Sequence, residues 1–299
     1  MDLKDSAQGN KSKSFKTLII GGYGNFGHRI AESLAKESYI QVILAGRNRL
    51  KAIDAAQKLS RVSSLPVQSL EIDINSPLLT EKLQESKAAL VIHTSGPFQK
   101  QGYAVAEACI HAGVHYIDLA DGRSFVEGFQ SLDELAKNNA VIAITGASSV
   151  PGLSSAVINH YRSQFKELQA LRFGIAPGNQ TERGEATVKA ILSYTGKRFQ
   201  RWQNQSWQSV LGWQDLHLHN FPTPIGKRWL SNCDIPDLSI FPQKYPELQS
   251  IKFYAGLELG ILHIGLWGLS WLVRLKLIKS LAQYSSLLTR MSTWVQTFG

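Results

Sequence analysis

The chain has 299 residues, of which 43% are hydrophobic and 18% charged, and its formal net charge is +9. This length is sufficient for two domains with buried cores, and the composition excludes a disordered, collagen-like or disulfide-stapled protein. The two cysteines, Cys109 and Cys233, provide neither a disulfide framework nor a metal-ligand spacing. We therefore expect no metal ion and a reducing, cytoplasmic setting.

The chain opens with a polar segment, Met1–Lys16, that is rich in lysine and serine. A secretory signal peptide requires an apolar core, which this segment lacks. We therefore predict a disordered tail, followed by the first folded domain.

A strand, a glycine-rich loop, a helix and a second strand come next. Thr17–Ile20 is a β-branched and aliphatic run that predicts a buried strand, and Gln41–Ala45 predicts a second one. Between them, Phe26, Ile30 and Leu34 recur at helical spacing. This succession is typical of the first βαβ unit of a dinucleotide-binding sheet.

The loop in this unit contains the pattern G-x-G-x-x-G, formed by Gly22, Gly24 and Gly27. Gly22 permits a tight turn, the missing Cβ of Gly24 lets a pyrophosphate approach the backbone, and Gly27 lets the helix pack close to the sheet. The helix N-terminus would add N–H groups and the positive end of a dipole. In this context the pattern predicts a dinucleotide site rather than a purely structural turn.

The end of the second strand indicates which dinucleotide binds. An NAD site normally has Asp or Glu about twenty residues beyond the loop, where this sequence has Gly46-Arg47-Asn48. A guanidinium suits the 2′-phosphate of NADP, which a carboxylate would repel. We therefore expect NADP(H); the alternative for Arg47 is a solvated side chain after a strand.

The rest of the first half continues the alternation of strands and helices. Strands are predicted at Pro66–Ile72, Ala88–Thr94, His115–Leu119 and Ala140–Thr145, and helices at Leu50–Leu59, from Ser76-Pro77, from Ala104 to a stop at Gly113, and at Phe125–Asn138. The pattern predicts an α/β fold with a Rossmann-type doubly wound parallel sheet over residues 17–150. Loops 21–27, 94–98, 119–123 and 146–152 fall at the carboxyl edge of that sheet, where ligands bind in such folds.

Five motifs in this half resemble those of the saccharopine dehydrogenase family: the glycine loop, AGRN, HTSGPFQKQG, AEACIHAGVHYIDLADGR and TGASSVPGLSSAV. The resemblance covers Thr17–Asn159 and is closest to bacterial saccharopine-dehydrogenase-like members of unassigned substrate. It implies an NADP(H)-binding Rossmann domain followed by an α/β (α+β) substrate domain on a mixed sheet, residues 151–299. It also implies cofactor contacts at Gly22, Tyr23, Gly24, Asn25, Phe26, Gly27, Arg47, Asn48, Asp73, Ser95, Gly96 and Pro97.

Two features depart from the family pattern. Asp121-Gly122 follows the Tyr-x-Asp strand, where members with the lysine-pathway activity tend to have Gly-Glu. The second half also contains no evident set of arginines and carboxylates for a dicarboxylic amino acid. The resemblance therefore does not extend to saccharopine as the substrate.

No triad or paired-acid spacing identifies the catalytic residues, so the sequence leaves them unknown. Three weak candidates are His93 near the end of the fourth strand, Asp121 after the fifth, and Arg183, which would hold an anionic group. A histidine in the position of His93 is more often a satisfied core residue. Asp73 is equally well explained as a solvated loop acid.

The second half is predicted to begin with a strand at Leu168–Ile175 and a helix at Gly184–Thr195. Trp202, Trp207 and Trp213 are five or six residues apart, a spacing that favours packing on a sheet over a platform for stacking bases. Despite the net positive charge, we therefore expect no nucleic acid as a partner.

Residues 256–298 are apolar and basic. The uncharged run Leu259–Val273 has fifteen residues, which is short for a bilayer span, and Lys276–Phe298 has helical apolar spacing. From 251 to 299 there are five basic residues against one acid. Two interpretations stay open: helices that cover the substrate domain, or a surface for peripheral membrane contact or a greasy substrate. Related sequences continue past Phe298-Gly299, so we expect a truncated polypeptide.

Two functional hypotheses follow. The first is an NADP(H)-dependent oxidoreductase that transfers a hydride to or from a C=N, C=O or C=C bond of a small molecule, with lipid-like substrates among the candidates. The second is a non-catalytic NADP(H)-binding module at a membrane surface or on a partner protein, motivated by the missing acid/base signature. A homodimer is a further candidate assembly.

Overall fold

The computed structural model of the protein describes residues 14–181 and 185–294, and the contacts among them separate two units. The first unit contains the described residues up to Ser95, with Tyr103–Asp118 and Leu132–Ile144. The second contains Gly96–Gly102, Leu119–Ser131 and the described residues from Thr145 onward. The units therefore interleave along the chain, and a single boundary at residue 150 stays a prediction.

The first unit is built on a six-stranded parallel sheet. In chain order its strands are β1 (Phe15–Ile20), β2 (Ile40–Gly46), β3 (Gln68–Glu71), β4 (Leu90–His93), β5 (His115–Asp118) and β6 (Ala143–Ile144). They lie side by side in the order β3-β2-β1-β4-β5-β6. The order reverses between β1 and β4, so the loops that follow these two strands meet at the topological switch point of a Rossmann fold. The predicted fold class is confirmed.

Helices connect these strands. They are α1 (Asn25–Leu34), α2 (Arg49–Ser60), α3 (Leu79–Ser86), α4 (Ala104–His111), α5 (Arg123–Gly128) and α6 (Asp133–Asn138). Of these, α5 groups with the second unit. The helix predicted to stop at Gly113 does so, because Gly113 has a φ of 69° in the left-handed region that ends helices.

Two predicted boundaries are wrong for local reasons. The helix expected from Ser76 begins at Leu79, because the Ser76 hydroxyl accepts the N–H of Leu78 at 3.2 Å and forms a separate turn first. The sixth strand has only two residues, since Ala140 has a φ of 53° and completes the turn after α6. At the other end, β1 begins at Phe15; the remainder of the predicted tail, residues 1–13, lies outside the described residues.

The centre of the first unit is the pair of strands β1 and β2. Leu18, Ile19 and Leu44 have no exposed surface, and Ile20 is 1% exposed. Central strands of a parallel sheet are covered on both faces, which is why these sequences are continuous apolar runs. Each such side chain contributes roughly 1.5–3 kcal/mol by burial. Cys109, predicted to be a core residue, is fully buried in α4.

The buried face of α1 includes the predicted apolar stripe except for Phe26. Gly27 and Ala31 are buried, and Ile30 and Leu34 are partly buried against the core, whereas Phe26 is 50% exposed. A small residue is required at position 27, because a Cβ there would overlap the carbonyl of Gly21. The helix therefore approaches the sheet through small side chains, which leaves Phe26 beside the glycine loop at the surface.

The second unit contains a mixed sheet and a separate two-stranded ribbon. Its strands are β7 (Ala170–Ile175), β8 (Arg198–Gln203), β9 (Ser206–Leu211), β10 (His217–Asn220), β11 (Lys227–Asn232) and β12 (Ser250–Gly256). The sheet has the order β10-β11-β12-β7, in which only the β12–β7 pair is parallel, while β8 and β9 form the antiparallel ribbon. Its helices are α7 (Ser154–Tyr161), α8 (Glu185–Tyr194), α9 (Asp237–Lys244), α10 (Gly260–Arg274) and α11 (Ser285–Trp294). A second domain with a mixed sheet is as predicted.

The tryptophans pack in this unit. Trp213 is 1% exposed, and Trp202 donates from its indole nitrogen to the carbonyl of Leu248 at 2.7 Å. Trp202 and Trp207 are partners across the ribbon, with ring centroids 5.2 Å apart. Cross-strand aromatic pairs of this kind stabilise a two-stranded ribbon, so the structure agrees with sheet packing.

The C-terminal segment consists of two helices joined by a short connection. No helix among the described residues is long and apolar enough to cross a membrane. The helix predicted from Lys276 begins instead at Ser285, because Lys276 has a φ of 61° and ends the preceding helix α10. Phe298 and Gly299 lie outside the described residues.

Candidate functional site

The glycine loop forms a tight turn between β1 and α1. Gly21, which directly precedes the G-x-G-x-x-G pattern, has a φ of 81°, a conformation that favours glycine. The N–H of Gly24 donates to the Gly21 carbonyl at 2.8 Å, and the Gly24 carbonyl accepts the N–H of His28 at 2.8 Å, which starts the helix. A helix leaves the N–H groups of its first turn without intrahelical partners, and they favour anions.

Gly24 is the least crowded of the three glycines in the G-x-G-x-x-G pattern. Its φ of −82° and ψ of 171° are open to any residue, and a Cβ would meet only the Gly21 carbonyl, at 3.1 Å. A Cβ on Gly22 would meet the Leu44 side chain at 2.9 Å, and one on Gly27 would overlap the Gly21 carbonyl. Gly24 is exposed, so the space that a side chain would fill is open to a ligand.

An open pocket of about 620 Å³ lies at the end of β2, and we call it the basic pocket. Its described lining residues are Tyr23, Arg47, Asn48, Arg49, Leu50 and Lys51. Three of these residues, Arg47, Arg49 and Lys51, are positively charged, and none is acidic. No described residue forms an ion pair with any of the three. A cluster of unpaired cations at this position suits the 2′-phosphate of NADP.

Tyr23 connects the glycine loop to the basic pocket. Its hydroxyl accepts the N–H of Asn48 at 3.0 Å, and the Asn48 side chain accepts the N–H of Lys51 at 3.0 Å, which caps α2. A Cβ on Gly46 would lie 2.5 Å from the Tyr23 hydroxyl, so this glycine makes room for the tyrosine. Arg49 and Lys51 were missed in the sequence, although the basic run RNRLK was a visible signal.

Of the remaining predicted cofactor residues, Asn25 is the first residue of α1, directly after Gly24, and the other four fall into three groups. Ser95 joins the glycine loop, since a Cβ on Gly21 would lie 2.8 Å from its hydroxyl. Asp73 is exposed after β3, where its carboxylate accepts the N–H of Asn75 at 3.0 Å in a local turn. Gly96 and Pro97 continue the chain from Ser95 and group with the second unit.

His93 belongs to a buried chain of hydrogen bonds in the first unit. Its Nδ1 lies 3.1 Å from the Tyr116 hydroxyl, which donates to the Asp118 carboxylate at 3.0 Å. Since the hydroxyl proton is directed at Asp118, Nδ1 is the donor to Tyr116. Burial lowers the pKa of His93 to about 4, so the ring is neutral near pH 7. These features are typical of a core histidine that joins β4 to β5.

A second pocket, of about 290 Å³, lies wholly within the second unit, and we call it the acidic pocket. Its apolar wall includes Val150, Ile175, Ile191, Ile235, Phe253 and Ala255. Its polar lining includes Gln99, Asp121, Arg123, Tyr194, Cys233 and Asp234. The chain enters the segments that carry Gln99, Asp121 and Arg123 from the carboxyl ends of β4 and β5.

Asp121 lines the acidic pocket. Its carboxylate accepts the side-chain N–H of Gln99 at 3.1 Å, while burial raises the pKa of Asp121 above its usual value. Tyr194, Cys233 and Asp234 were missed in the sequence, because they are far from Asp121 along the chain and form no motif. Arg183 lies outside the described residues.

The fold, the glycine loop and the basic pocket define the first unit as a Rossmann-type dinucleotide-binding domain. Residues 17–144 match the family model described as saccharopine dehydrogenase NADP binding domain. Residues 17–144 therefore contain a domain of this type, and the cofactor is NADP(H), as predicted.

The individual proteins that match the chain have low sequence identity to it. Trans-acting enoyl reductases from Mycobacterium bovis and Mycobacterium ulcerans are 28% identical over 146 residues and 27% identical over 148 residues. Each match covers 46% of this chain and 34% of the relative, so it spans about a third of the relatives' length. Saccharopine dehydrogenase (L-Glu forming) from Saccharomyces cerevisiae has a similar fold, with a TM-score of 0.61 at 13% identity. That similarity covers 81% of this chain and 55% of the yeast protein.

Proposed function

We propose that the protein is an NADP(H)-dependent oxidoreductase acting on a C=N, C=O or C=C bond of a small molecule. The observation that carries the proposal is Gly24, an exposed glycine whose missing side chain leaves room for a diphosphate on the backbone. The names of its relatives, enoyl reductase and saccharopine dehydrogenase, support the same general reaction. When bound, NADP(H) supplies or accepts a hydride at C4 of its nicotinamide.

The residues of this chain have separate roles in the proposal. The backbone at Gly24 and the start of α1 hold the diphosphate, and Arg47 with its basic neighbours holds the 2′-phosphate. Asp121 is the candidate that gives or takes a proton, since its raised pKa increases the protonated fraction of a carboxyl near neutral pH. The apolar wall of the acidic pocket limits water around the substrate.

The test of this function is NADPH oxidation with a panel of imines, ketones and enoyl esters, followed by absorbance. We expect turnover with at least one class, a slower rate with NADH, and product with one new C–H bond per NADPH consumed. The control is the same assay without the second substrate. NADPH binding without turnover on any class would contradict an oxidoreductase and support the second candidate below.

The second candidate is a non-catalytic NADP(H)-binding module at an anionic membrane surface. It is favoured by the connection between α10 and α11, in which Leu275 and Leu277 are 62% and 70% exposed between the exposed cations Arg274, Lys276 and Lys279. No acid occurs from Leu259 to the end of the sequence. Exposed apolar residues among cations are typical of peripheral attachment to anionic lipid.

The same helices also cover the second unit, so both predicted interpretations have support. Leu192, Val273 and Leu281 form a buried cluster between α8 and the C-terminal segment. The apolar residues of this segment thus divide into an inner set that packs on α8 and an outer set that includes Leu275 and Leu277. Only the outer set is available to a lipid surface.

Co-sedimentation with vesicles tests membrane contact. We expect the protein to bind vesicles that contain phosphatidylserine better than neutral ones, because each cation near such a surface contributes about 1 kcal/mol. The double change Leu275→Ser and Leu277→Ser should lower the binding constant for these vesicles at least about tenfold, equivalent to about 1.4 kcal/mol. Val62→Ser, at an equally exposed site of the first unit, is the control. Equal sedimentation of the original protein and both variants would contradict binding to a membrane surface.

A further inference from the structure

The side chain of Tyr23 is held in place between the glycine loop and the end of β2. Its ring lies against Gly46, the last residue of β2, since a Cβ on Gly46 would be 2.5 Å from the hydroxyl oxygen and 2.6 Å from a ring carbon. The hydroxyl accepts the N–H of Asn48 at 3.0 Å. Tyr23 is also one of the residues that line the basic pocket. The ring contact and the hydrogen bond together fix where the hydroxyl lies in that pocket.

The hydroxyl of Tyr23 keeps a proton available for a ligand. A tyrosine hydroxyl has one donor and two acceptor lone pairs, and the bond from Asn48 occupies a lone pair. No described residue accepts the proton of this hydroxyl, and Tyr23 is partly exposed. The basic pocket therefore contains a neutral donor in addition to its three cations. A donor among cations is suited to an anionic acceptor.

The start of helix α2 lies beside this hydroxyl. Asn48 is the N-cap of α2, and its own N–H is the group that Tyr23 accepts. The positive end of the helix dipole and the N–H groups of the first turn favour an anion, and the first turn of α2 contains no acid that would compete for them. The fixed hydroxyl, the helix start and the cations of the basic pocket thus all favour an anion at one place.

We propose that Tyr23 is a specificity-determining residue, whose hydroxyl donates a hydrogen bond to the 2′-phosphate of NADP(H). NAD(H) has a neutral 2′-hydroxyl at that position, and a hydrogen bond to a charged acceptor is roughly twice as strong as one to a neutral acceptor. Loss of the donor therefore costs NADP(H) more than NAD(H). Gly46 belongs to the same arrangement, because a side chain there would displace the ring. The inference rests on the place of NADP(H) in the proposed function and requires no turnover.

Tyr23→Phe keeps the ring and removes the donor. We expect fluorescence titration to show an affinity for NADPH that is about tenfold lower, and an affinity for NADH that changes by less than about twofold. Tyr39→Phe is the matched control, since Tyr39 is 57% exposed in the same unit and does not line the basic pocket. Unchanged NADPH affinity in Tyr23→Phe, or an equal fall for both coenzymes, would overturn the proposal.

Gly46→Ala tests the position of the hydroxyl with the tyrosine still present. The added methyl would lie 2.5 Å from the hydroxyl oxygen, so the ring has to move away. Because the contact is with the far end of a partly exposed side chain, we expect the variant to fold, which a thermal melt checks. The preference for NADPH over NADH should fall at least as much as in Tyr23→Phe. A preference as strong as that of the original protein would overturn the proposal.

A double variant separates a direct hydrogen bond from a role through Arg47, which is the chain neighbour of Asn48. If Tyr23 did no more than position Arg47, Tyr23→Phe would have no effect on a protein that already carries Arg47→Ala. We expect instead that the double variant binds NADPH about fivefold more weakly than Arg47→Ala alone. Equal NADPH affinity in Arg47→Ala and in the double variant would overturn the direct hydrogen bond.

The same titrations separate this inference from the proposed function. If the original protein prefers NADPH and Tyr23→Phe keeps that preference, this inference fails and the oxidoreductase stands. If Tyr23→Phe loses the preference and the original protein oxidises NADPH with no substrate class, the hydroxyl keeps its role and the oxidoreductase fails. Equal affinity of the original protein for NADPH and NADH would refute both the basic pocket as the phosphate site and the role of Tyr23.

Discussion

Replacement of Gly24 by valine is expected to abolish NADP(H) binding and to leave the fold nearly unchanged. The backbone there is extended, and a Cβ would meet only the carbonyl of Gly21 at 3.1 Å, so the cost in stability should be about 1 kcal/mol or less. A branched side chain would occupy the space where the diphosphate lies on the backbone. We expect affinity for NADPH to fall at least about a hundredfold, equivalent to about 2.7 kcal/mol.

Fluorescence titration with NADPH and a thermal melt of the free protein measure the two effects separately. Gly27→Val is the contrasting variant: its side chain would overlap the Gly21 carbonyl, so we expect a large loss of melting temperature. Gly102→Val is the neutral control, because a Cβ there has no neighbour within 4 Å. Unchanged NADPH affinity in Gly24→Val would remove the glycine loop from the binding site.

Replacement of Arg47 by alanine should remove most of the preference for NADP(H) over NAD(H). Arg47 lines the basic pocket and has no ion-pair partner among the described residues, so its guanidinium is available to the 2′-phosphate. A hydrogen bond to a charged group contributes about 1.5–3 kcal/mol, which corresponds to a factor of roughly 10 to 150 in affinity. Affinity for NAD(H), which lacks this phosphate, should stay the same.

The control for this variant removes an equal charge from the same helix. Lys58 lies near the end of α2, pairs with Asp54 at 2.8 Å and does not line the basic pocket, so Lys58→Ala should leave the preference unchanged. The additional change Arg49→Ala should lower NADP(H) affinity further, since Arg49 lines the same pocket. If the ratio of NADP(H) affinity to NAD(H) affinity is the same in Arg47→Ala and in the original protein, other residues bind the 2′-phosphate.

The predicted cofactor residues show how far local sequence reaches. Gly24, Arg47 and Asn48 are close along the chain, and their relation depends only on a strand, a turn and a helix of standard geometry. Tyr23 links them through one hydrogen bond to Asn48, a contact that no periodicity predicts. The boundaries that were missed, such as the start of α3, depend on single hydrogen bonds from side chains like that of Ser76.

The acidic pocket shows where sequence reasoning stops. Tyr194 and Cys233 are 39 residues apart, and their contact at 2.8 Å arises because α8 and the segment after β11 pack together. Arg123 donates from its Nη1 to Asp234, which is 111 residues further along the chain, and to the carbonyl of Gln200. No local pattern in the sequence predicts such contacts.

The amino-acid sequence by itself determined the Rossmann-type sheet, the glycine loop and the choice of NADP(H), because each depends on residues that are neighbours in one βαβ unit. The tertiary structure alone decided which groups line the acidic pocket and which apolar residues of the C-terminal segment stay exposed. It also decided that His93 is hydrogen-bonded to Tyr116 in the core. The physical reason is that burial, and the pairing of charges that it demands, depends on contacts between residues far apart in the chain.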